Sequence, residues 1–274
     1  MTPLLPAPSW PGDTWIVGCG KMAGAMVEGW QRAGVDLSQV TAIRPSGVPV
    51  AGVRTASIIW HDSTPPRLVL LGIKPQKLDE VAPELAKYLD SNTILVSILA
   101  GVEIASLRAR FPEVGQIVRA MPNLPVSEGR GVVALAGGDG SIDALFELLG
   151  TVVRTDSEAE LAAIGSLAGA GPAYVARFIA ALARAGAERG LDPVLADRIA
   201  LETVLGTAAM AKASGEDMAS IAVRVASPSG TTEAGLRELD PELDALISRT
   251  LTAASRRGEE LAAAARIDSG PPLA

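Results

Sequence analysis

Short runs of apolar residues alternate with longer helical stretches in the first half of the chain. The predicted strands share β-branched or aliphatic side chains and end in turn residues; they are 14–17, 40–43, 68–73, 94–98, 117–119 and 132–135. Helices are predicted between some of them, at residues 22–33 and 77–89. Because the runs are continuously apolar, both faces of each strand should be covered. The pattern predicts a doubly wound α/β domain, with a parallel sheet and helices on both faces.

The pattern changes after about Asp156, where the strand signal stops and helical spacing begins. The apolar residues Val175, Phe178, Ile179 and Leu182 recur at intervals that place them on one helix face. Ala-rich helices of this kind are too apolar to face solvent on every remaining side. We therefore expect a dimer contact in this half of the chain.

An Asp-Pro pair marks each of two further helix starts. Asp192-Pro193 and Asp240-Pro241 each supply an N-cap and a first-turn proline. The helix that starts at Asp240-Pro241 is predicted to run to about residue 265. These signals divide the chain into a dinucleotide-binding domain of residues 1–156 and an all-helical substrate and dimerisation domain of residues 157–274.

The composition indicates the cellular compartment and excludes some classes of partner. The chain has 274 residues, of which 48% are apolar and 3% aromatic, so the core should consist of Ala, Val, Leu and Ile. The net charge of −7 and the scattered Lys and Arg residues argue against a nucleic-acid partner. A single cysteine and the lack of a signal-peptide pattern favour a cytoplasmic protein without a membrane segment. We expect the Pro-rich start and the tail from about Ser269 to lie outside the fold.

A glycine turn follows the first predicted strand and opens a helix. It reads Gly18-Cys19-Gly20-Lys21-Met22-Ala23, the Gly-x-Gly-x-x-Ala pattern of dinucleotide-binding turns. The first glycine permits the tight turn, and the second leaves room for a pyrophosphate at the helix N-terminus. Gly18, Gly20, Lys21 and Met22 are therefore predicted to bind a dinucleotide, with Cys19 serving only as a small side chain.

The end of the second strand indicates which dinucleotide binds. An NAD-preferring site carries an acidic residue there, whereas this chain has Arg44 and Ser46 and no acid. Arg44 could pair with a 2′-phosphate and Ser46 could hydrogen-bond to it, which favours NADP(H) over NAD(H). The alternative is a solvated arginine in a surface loop.

Few residue types for nucleophilic or metal chemistry are present. The only histidine, His61, precedes a Pro-rich turn and is predicted to be a surface residue. One Cys and one His cannot form a Cys/His metal cluster, so no metal is expected. Hydride transfer to a protonated imine needs neither a nucleophilic side chain nor a metal. It requires only a bound nicotinamide and an anchor for the substrate's charge. Arg119 is interpreted as a buried structural cation.

Five further motifs resemble, in order, those of pyrroline-5-carboxylate reductases, and the similarity covers roughly residues 14–262. They are 72–76 (Gly-Ile-Lys-Pro-Gln), 96–101 (Val-Ser-Ile-Leu-Ala-Gly), 118–123 (Val-Arg-Ala-Met-Pro-Asn), 169–174 (Gly-Ala-Gly-Pro-Ala-Tyr) and 227–232 (Ser-Pro-Ser-Gly-Thr-Thr). The resemblance implies a Rossmann-like domain, followed by a helical domain that interlocks in a homodimer or in a decamer of five dimers. It also implies reduction of 1-pyrroline-5-carboxylate to L-proline with NADPH or NADH.

The resemblance also assigns roles to single residues. Lys74, Pro75, Ala100 and Asn123 would lie along the nicotinamide end of the cofactor. Backbone N–H groups of residues 229–231, which are Ser229, Gly230 and Thr231, would hold the substrate carboxylate. Thr232 would also contact the substrate. Its catalytic role would be a hydrogen bond with the ring nitrogen of the imine. A Ser/Pro/Gly loop before a helix is independently suited to binding an anion.

Alternatives stay open for several of these residues. Thr231 or Thr232 could simply cap a helix at 233–239, and Lys74 could be a solvated residue at a strand end. The family usually has serines where this chain has Ala168 and Ala170, and a glycine in place of Ser229, so a reductase of another cyclic imine is an alternative.

Two other classes of protein compete with imine reduction. A β-hydroxyacid dehydrogenase would need a helix lysine and a nearby asparagine, but Val175 and Ile179 occupy those positions. A non-catalytic dinucleotide-binding module would keep the glycine turn and need no substrate loop.

Overall fold

The structure, a computed structural model, describes residues 9–58 and 64–267, with the backbone alone for residues 264–267. His61, the start of the chain and the predicted tail from Ser269 lie outside the described residues. The chain forms two compact units, Met1–Ala170 with Ala254–Ala274, and Gly171–Ala253.

Among the residues that the structure describes, eight strands form one sheet in the first unit. They are β1 (Thr14–Val17), β2 (Val40–Ile43), β3 (Arg54–Ala56), β4 (Leu68–Leu71), β5 (Ile94–Ser97), β6 (Gln116–Pro122), β7 (Gly131–Gly137) and β8 (Gly150–Arg154). The strand order is β3-β2-β1-β4-β5-β6-β7-β8. The first six strands therefore have the order of a dinucleotide-binding sheet, 3-2-1-4-5-6, which confirms the predicted fold class.

Helices cover both faces of this sheet. They are α1 (Lys21–Arg32), α2 (Leu78–Leu85), α3 (Ile104–Arg110) and α4 (Asp143–Glu147). One core cluster joins the sheet to Trp30 of α1 and Phe146 of α4. A second cluster joins the other face to Leu85 of α2 and Leu107 of α3. The continuously buried strands β1, β2 and β4 lie between the two clusters, as the apolar runs predicted.

Three details of the sheet differ from the prediction. The strands β3 and β8 were not predicted, because β3 is short and polar while β8 begins at Gly150 and is only partly buried. The sheet is also not wholly parallel, since β6 and β7 pair antiparallel. The reason is the short connection between them, a 3-10 turn at Leu124–Glu128 closed by Gly129 at φ +65°. A parallel pair would need a crossover of a dozen or more residues.

The remaining helices are α5 (Glu158–Ile164), α6 (Gly171–Ala187), α7 (Pro193–Ser214), α8 (Met218–Val225) and α9 (Thr231–Ile267). A π-helical turn, Gly165–Gly169, joins α5 to α6. Buried alanines, Ala183 of α6 with Ala196 and Ala200 of α7, let those two helices approach closely. The predicted boundary at residue 156 falls between β8 and α5 and stays a prediction.

One predicted helix start is confirmed and one is wrong. Asp192 caps α7, accepting a hydrogen bond from the Leu195 N–H at 3.0 Å, and Pro193 is the first helical residue. Asp240-Pro241 starts no helix, because α9 already begins at Thr231 and Pro241 lies inside it. An Asp-Pro pair gives the same sequence signal at a helix start and at a tolerated interior proline, so only the structure separates the two.

Candidate active site

The glycine turn between β1 and α1 has the geometry that a dinucleotide requires. Gly18 has φ +80°, and a Cβ there would lie 2.6 Å from Ile73 Cγ2 and 2.9 Å from Ile73 N. A Cβ at Gly20, in contrast, would meet nothing within 4 Å. Gly20 is the N-cap of α1 and makes no side-chain cap bond, so the amides of the first turn are available to an anion. The residues present therefore fit a pyrophosphate at Gly18, Gly20, Lys21 and Met22.

A cavity of about 730 Å³ opens at the carboxyl ends of β1, β2 and β4. Its lining includes Gly18, Pro45 and Lys74, together with the apolar side chains of Ile43 and Ile73. The switch point of a doubly wound sheet is where such ligands bind. The structure thus brings Gly18 and Lys74 to one cavity and places Pro45, the residue between Arg44 and Ser46, in its wall. Lys74 also precedes the 3-10 turn Pro75–Lys77.

Cys19 of the glycine turn is buried. Burial raises the pKa of the Cys19 thiol, and the positive charge of Arg44 opposes that effect only in part. Cys19 therefore stays a neutral thiol at neutral pH, as expected for a residue that serves as a small side chain.

Asn123 follows β6 and is buried. Its side-chain oxygen accepts a hydrogen bond from the Val132 N–H at 2.8 Å. Its side-chain nitrogen donates to the carbonyl of Ala168 at 3.0 Å, within the π-helical turn. No sequence pattern indicates the second contact, since 45 residues separate the partners. The predicted contact between Asn123 and the cofactor, like that of Ala100, stays a prediction.

The loop before α9 contains the predicted substrate residues. Ser229 has φ +56°, a conformation that side chains rarely adopt. A Cβ at Gly230 would lie 2.9 Å from the Ser227 carbonyl oxygen and 2.3 Å from its Oγ, so a larger residue there would displace the loop backbone. Thr231 and Thr232 are exposed in the first turn of α9. Within the described residues neither threonine hydroxyl makes a hydrogen bond, so the alternative that one of them caps a helix at 233–239 is wrong.

Glu233 makes a contact in this loop that the sequence analysis missed. Its carboxylate accepts the Ser229 N–H at 2.6 Å and also pairs with Arg237 at 2.7 Å. The Gly230 N–H donates to the Ser227 carbonyl at 2.9 Å. Two of the three amides predicted to hold a substrate carboxylate are therefore engaged within the chain. The spacing of a capping box, an acid a few residues into a helix, could have revealed the Glu233 contact.

Known proteins are similar to this chain over nearly its whole length. A pyrroline-5-carboxylate reductase of Pseudomonas aeruginosa is 33% identical over 262 residues, which cover 90% of this chain and 96% of that protein. One from Arabidopsis thaliana is 32% identical, over 94% of this chain and 98% of that protein. The chain belongs to the pyrroline-5-carboxylate reductase family. The family model for pyrroline-5-carboxylate reductase dimerisation matches residues 158–261.

Solved structures agree with this membership. A pyrroline-5-carboxylate reductase from Coxiella burnetii superposes with a TM-score of 0.83 at 28% identity, covering 91% of this chain and 98% of that one. The pyrroline carboxylate reductase of Plasmodium falciparum, solved with NADP bound, has a TM-score of 0.81 at 22% identity over 93% of this chain and all of that one. The second likeness shows the shared fold.

The region matched by the dimerisation model exposes apolar side chains. Examples are Phe178, Val194 and Leu205. Within the described residues one helical stretch, Glu158–Ala187, is long and apolar enough to cross a membrane by length and composition alone, and 6% of its most apolar window is buried. The dimerisation match over the same region indicates a homo-oligomer.

Proposed function

We propose that this protein reduces 1-pyrroline-5-carboxylate to L-proline with NADPH, or with NADH as the alternative donor. The full-length identity with named pyrroline-5-carboxylate reductases is the observation that carries the proposal. The glycine turn and the cavity at the sheet's carboxyl edge support it, because they fit the dinucleotide that the reaction needs.

The chain's own residues bind and orient both reactants. Gly18, Gly20 and the α1 amides hold the pyrophosphate, and Lys74, Pro75, Ala100 and Asn123 lie toward the nicotinamide. When bound, the reduced nicotinamide supplies a hydride to the imine carbon. The substrate carboxylate binds at the amides of residues 229–231, where it replaces the Glu233 carboxylate at the Ser229 N–H. The protonated ring nitrogen donates its N–H to the Thr232 hydroxyl oxygen. As the hydride adds to carbon, the electron pair of the C=N bond moves to the nitrogen, which keeps that proton as an amine.

The assay that tests this proposal follows the absorbance of NADPH in the presence of 1-pyrroline-5-carboxylate. We expect turnover that depends on both protein and imine. If the protein reduced other cyclic imine carboxylates but not 1-pyrroline-5-carboxylate, its substrate would be a different imine. Such a result would be consistent with Ala168 and Ala170 in place of the family's serines, and with Ser229 in place of its glycine. Tight NADPH binding without turnover of any imine would instead indicate a dinucleotide-binding module.

Replacement of Arg44 tests the preference for NADPH. Because a charge-assisted contact to the 2′-phosphate is lost, Arg44→Ala should raise the Kd of NADPH by about 10- to 100-fold and leave that of NADH nearly unchanged. Titration of cofactor fluorescence measures both constants. An equal weakening of both cofactors would contradict the role of Arg44 and, with it, that of the neighbouring Ser46.

Replacement of Glu233 tests the substrate loop. The Glu233 carboxylate competes for the Ser229 N–H and repels a substrate carboxylate, so Glu233→Gln should lower the KM for the imine by roughly 3- to 10-fold with little change in kcat. Glu238→Gln, the same change at an exposed position of α9, is the control and should leave KM unchanged. A KM that rises in Glu233→Gln would mean that the acid supports the site instead of competing for it.

The assembly we propose is a homodimer formed through the helical domain of residues 157–274, with a decamer of five dimers as its larger form. The dimerisation match, which begins at residue 158, supports this boundary. We place the protein in the cytoplasm, where a single free cysteine stays reduced.

A further inference from the structure

Three alternate residues at the end of β6 hold the segment that runs from α5 into the π-helical turn. Arg119 is buried and pairs with Glu158, the first residue of α5. Met121 lies two residues further, and Asn123 two beyond it. Residues at this spacing on an extended segment share a face. One face of β6 therefore contacts both ends of the α5 segment.

The π-helical turn sits directly on two of these residues. A Cβ at Gly165 would lie 2.0 Å from the sulfur of Met121, so the turn packs against that side chain without space for another atom. At the other end of the turn, Asn123 donates to the Ala168 carbonyl. A π-helical turn disturbs the regular helical hydrogen bonds and is frequently found at functional sites. The Asn123 contact satisfies one carbonyl of this turn.

Both polar atoms of the Asn123 side-chain amide are hydrogen-bonded. Val132 donates to its oxygen at 2.8 Å, and the backbone N–H of Asn123 donates to the Val132 carbonyl at 3.1 Å. The amide nitrogen therefore points at Ala168 because the oxygen is held by β7. In this chain residues 168 and 170 are alanines, which have no hydroxyl group to fix the turn. The hydrogen bond from Asn123 therefore contributes more to fixing the turn than it would beside two serines.

We propose that Asn123 is a positioning residue that holds the backbone of residues 168–171 for the reaction. This inference rests on the proposed function, since the motif that starts at Gly169 resembles the family's substrate-side motif. Asn123 fixes the Ala168 carbonyl, and the carbonyl fixes the backbone that follows it. A small displacement of such a segment lowers the rate of hydride transfer without altering the affinity for the cofactor.

The variant Asn123→Asp separates the two hydrogen bonds. Its carboxylate still accepts the Val132 N–H but cannot donate to Ala168, and it places negative charge against the carbonyl. We expect kcat to fall by about 10- to 100-fold, the Kd of NADPH to stay within about threefold, and the deuterium isotope effect from labelled NADPH to rise. Amide hydrogen exchange at residues 168–171 should become faster.

The control variant is Gln116→Glu, which makes the same amide-to-carboxylate change at the other end of β6. Gln116 also binds through both amide atoms, donating to Asp139 at 2.8 Å and accepting from its N–H at 3.2 Å, but it is distant from the π-helical turn. Its kcat, isotope effect and exchange at residues 168–171 should match those of the unmodified protein.

The outcomes separate this inference from the proposed function. An unmodified protein that reduces no imine overturns the proposed function and the positioning role together. An active protein in which Asn123→Asp keeps its kcat, or keeps slow exchange at residues 168–171, overturns the positioning role alone. A rise in the Kd of NADPH that matches the loss of kcat would mean that Asn123 acts only through the cofactor contact given under the proposed function, and would overturn the positioning role.

Discussion

Thr232→Ala should lower the turnover of 1-pyrroline-5-carboxylate by about 100-fold and leave the Kd of NADPH nearly unchanged. The hydroxyl is exposed in the first turn of α9, and within the described residues it makes no bond that a substitution would break. Its loss should therefore act on the reacting nitrogen and not on folding. Steady-state kinetics with a parallel cofactor titration measures both effects.

Two control variants accompany Thr232→Ala. Thr232→Ser keeps the hydroxyl and should retain most of the activity. Thr250→Ala removes a hydroxyl from the same helix, where it donates to the Leu246 carbonyl at 2.8 Å, and should leave turnover unchanged. Full turnover in Thr232→Ala would remove Thr232 from the mechanism. The backbone amides would then be the only contribution of this loop to the reaction.

Gly18→Ala should destabilise the protein, because the new methyl group meets Ile73 at 2.6 Å and the backbone must keep φ +80°. Steric overlap and strain of this kind cost about 3 kcal/mol together. The melting temperature of the cofactor-free protein should fall by several degrees, and NADPH binding should be lost with the shape of the turn.

Gly20→Ala is the matched variant in the same turn. Its methyl group meets no atom within 4 Å, so the melting temperature should stay the same. The same methyl group would occupy the space reserved for the pyrophosphate, so the Kd of NADPH should rise by about 10-fold or more. If both variants melted normally and bound NADPH normally, the dinucleotide would not lie at this turn.

The apolar runs predicted the buried strands well. The bounds of β1 and β2 match to the residue, because continuous apolar stretches closed by turn residues have few alternatives. Edge strands are harder, since β3 and β8 are short and partly exposed and so resemble loops. The pairing direction of β6 and β7 depends on the length of a turn that looks like any other Pro-containing loop.

Local motifs predicted the parts of the site that lie close together in sequence. The roles of Gly18 and Gly20 follow from one turn, and the geometry of both is as expected. The contact between Asn123 and Ala168 joins distant segments and leaves no pattern in the sequence. The π-helical turn could not be predicted either, because its glycines, Gly165 and Gly169, are also typical of an ordinary turn.

The fate of the transferred hydrogen tests the proposed reaction most directly. The protein is mixed with 1-pyrroline-5-carboxylate and NADPH that carries deuterium at the transferable position, and the products are analysed by mass spectrometry. The proposal predicts proline one mass unit heavier than the unlabelled product, formed in equal amount to the NADPH oxidised. Oxidation of NADPH without proline, or proline without the label, would contradict it.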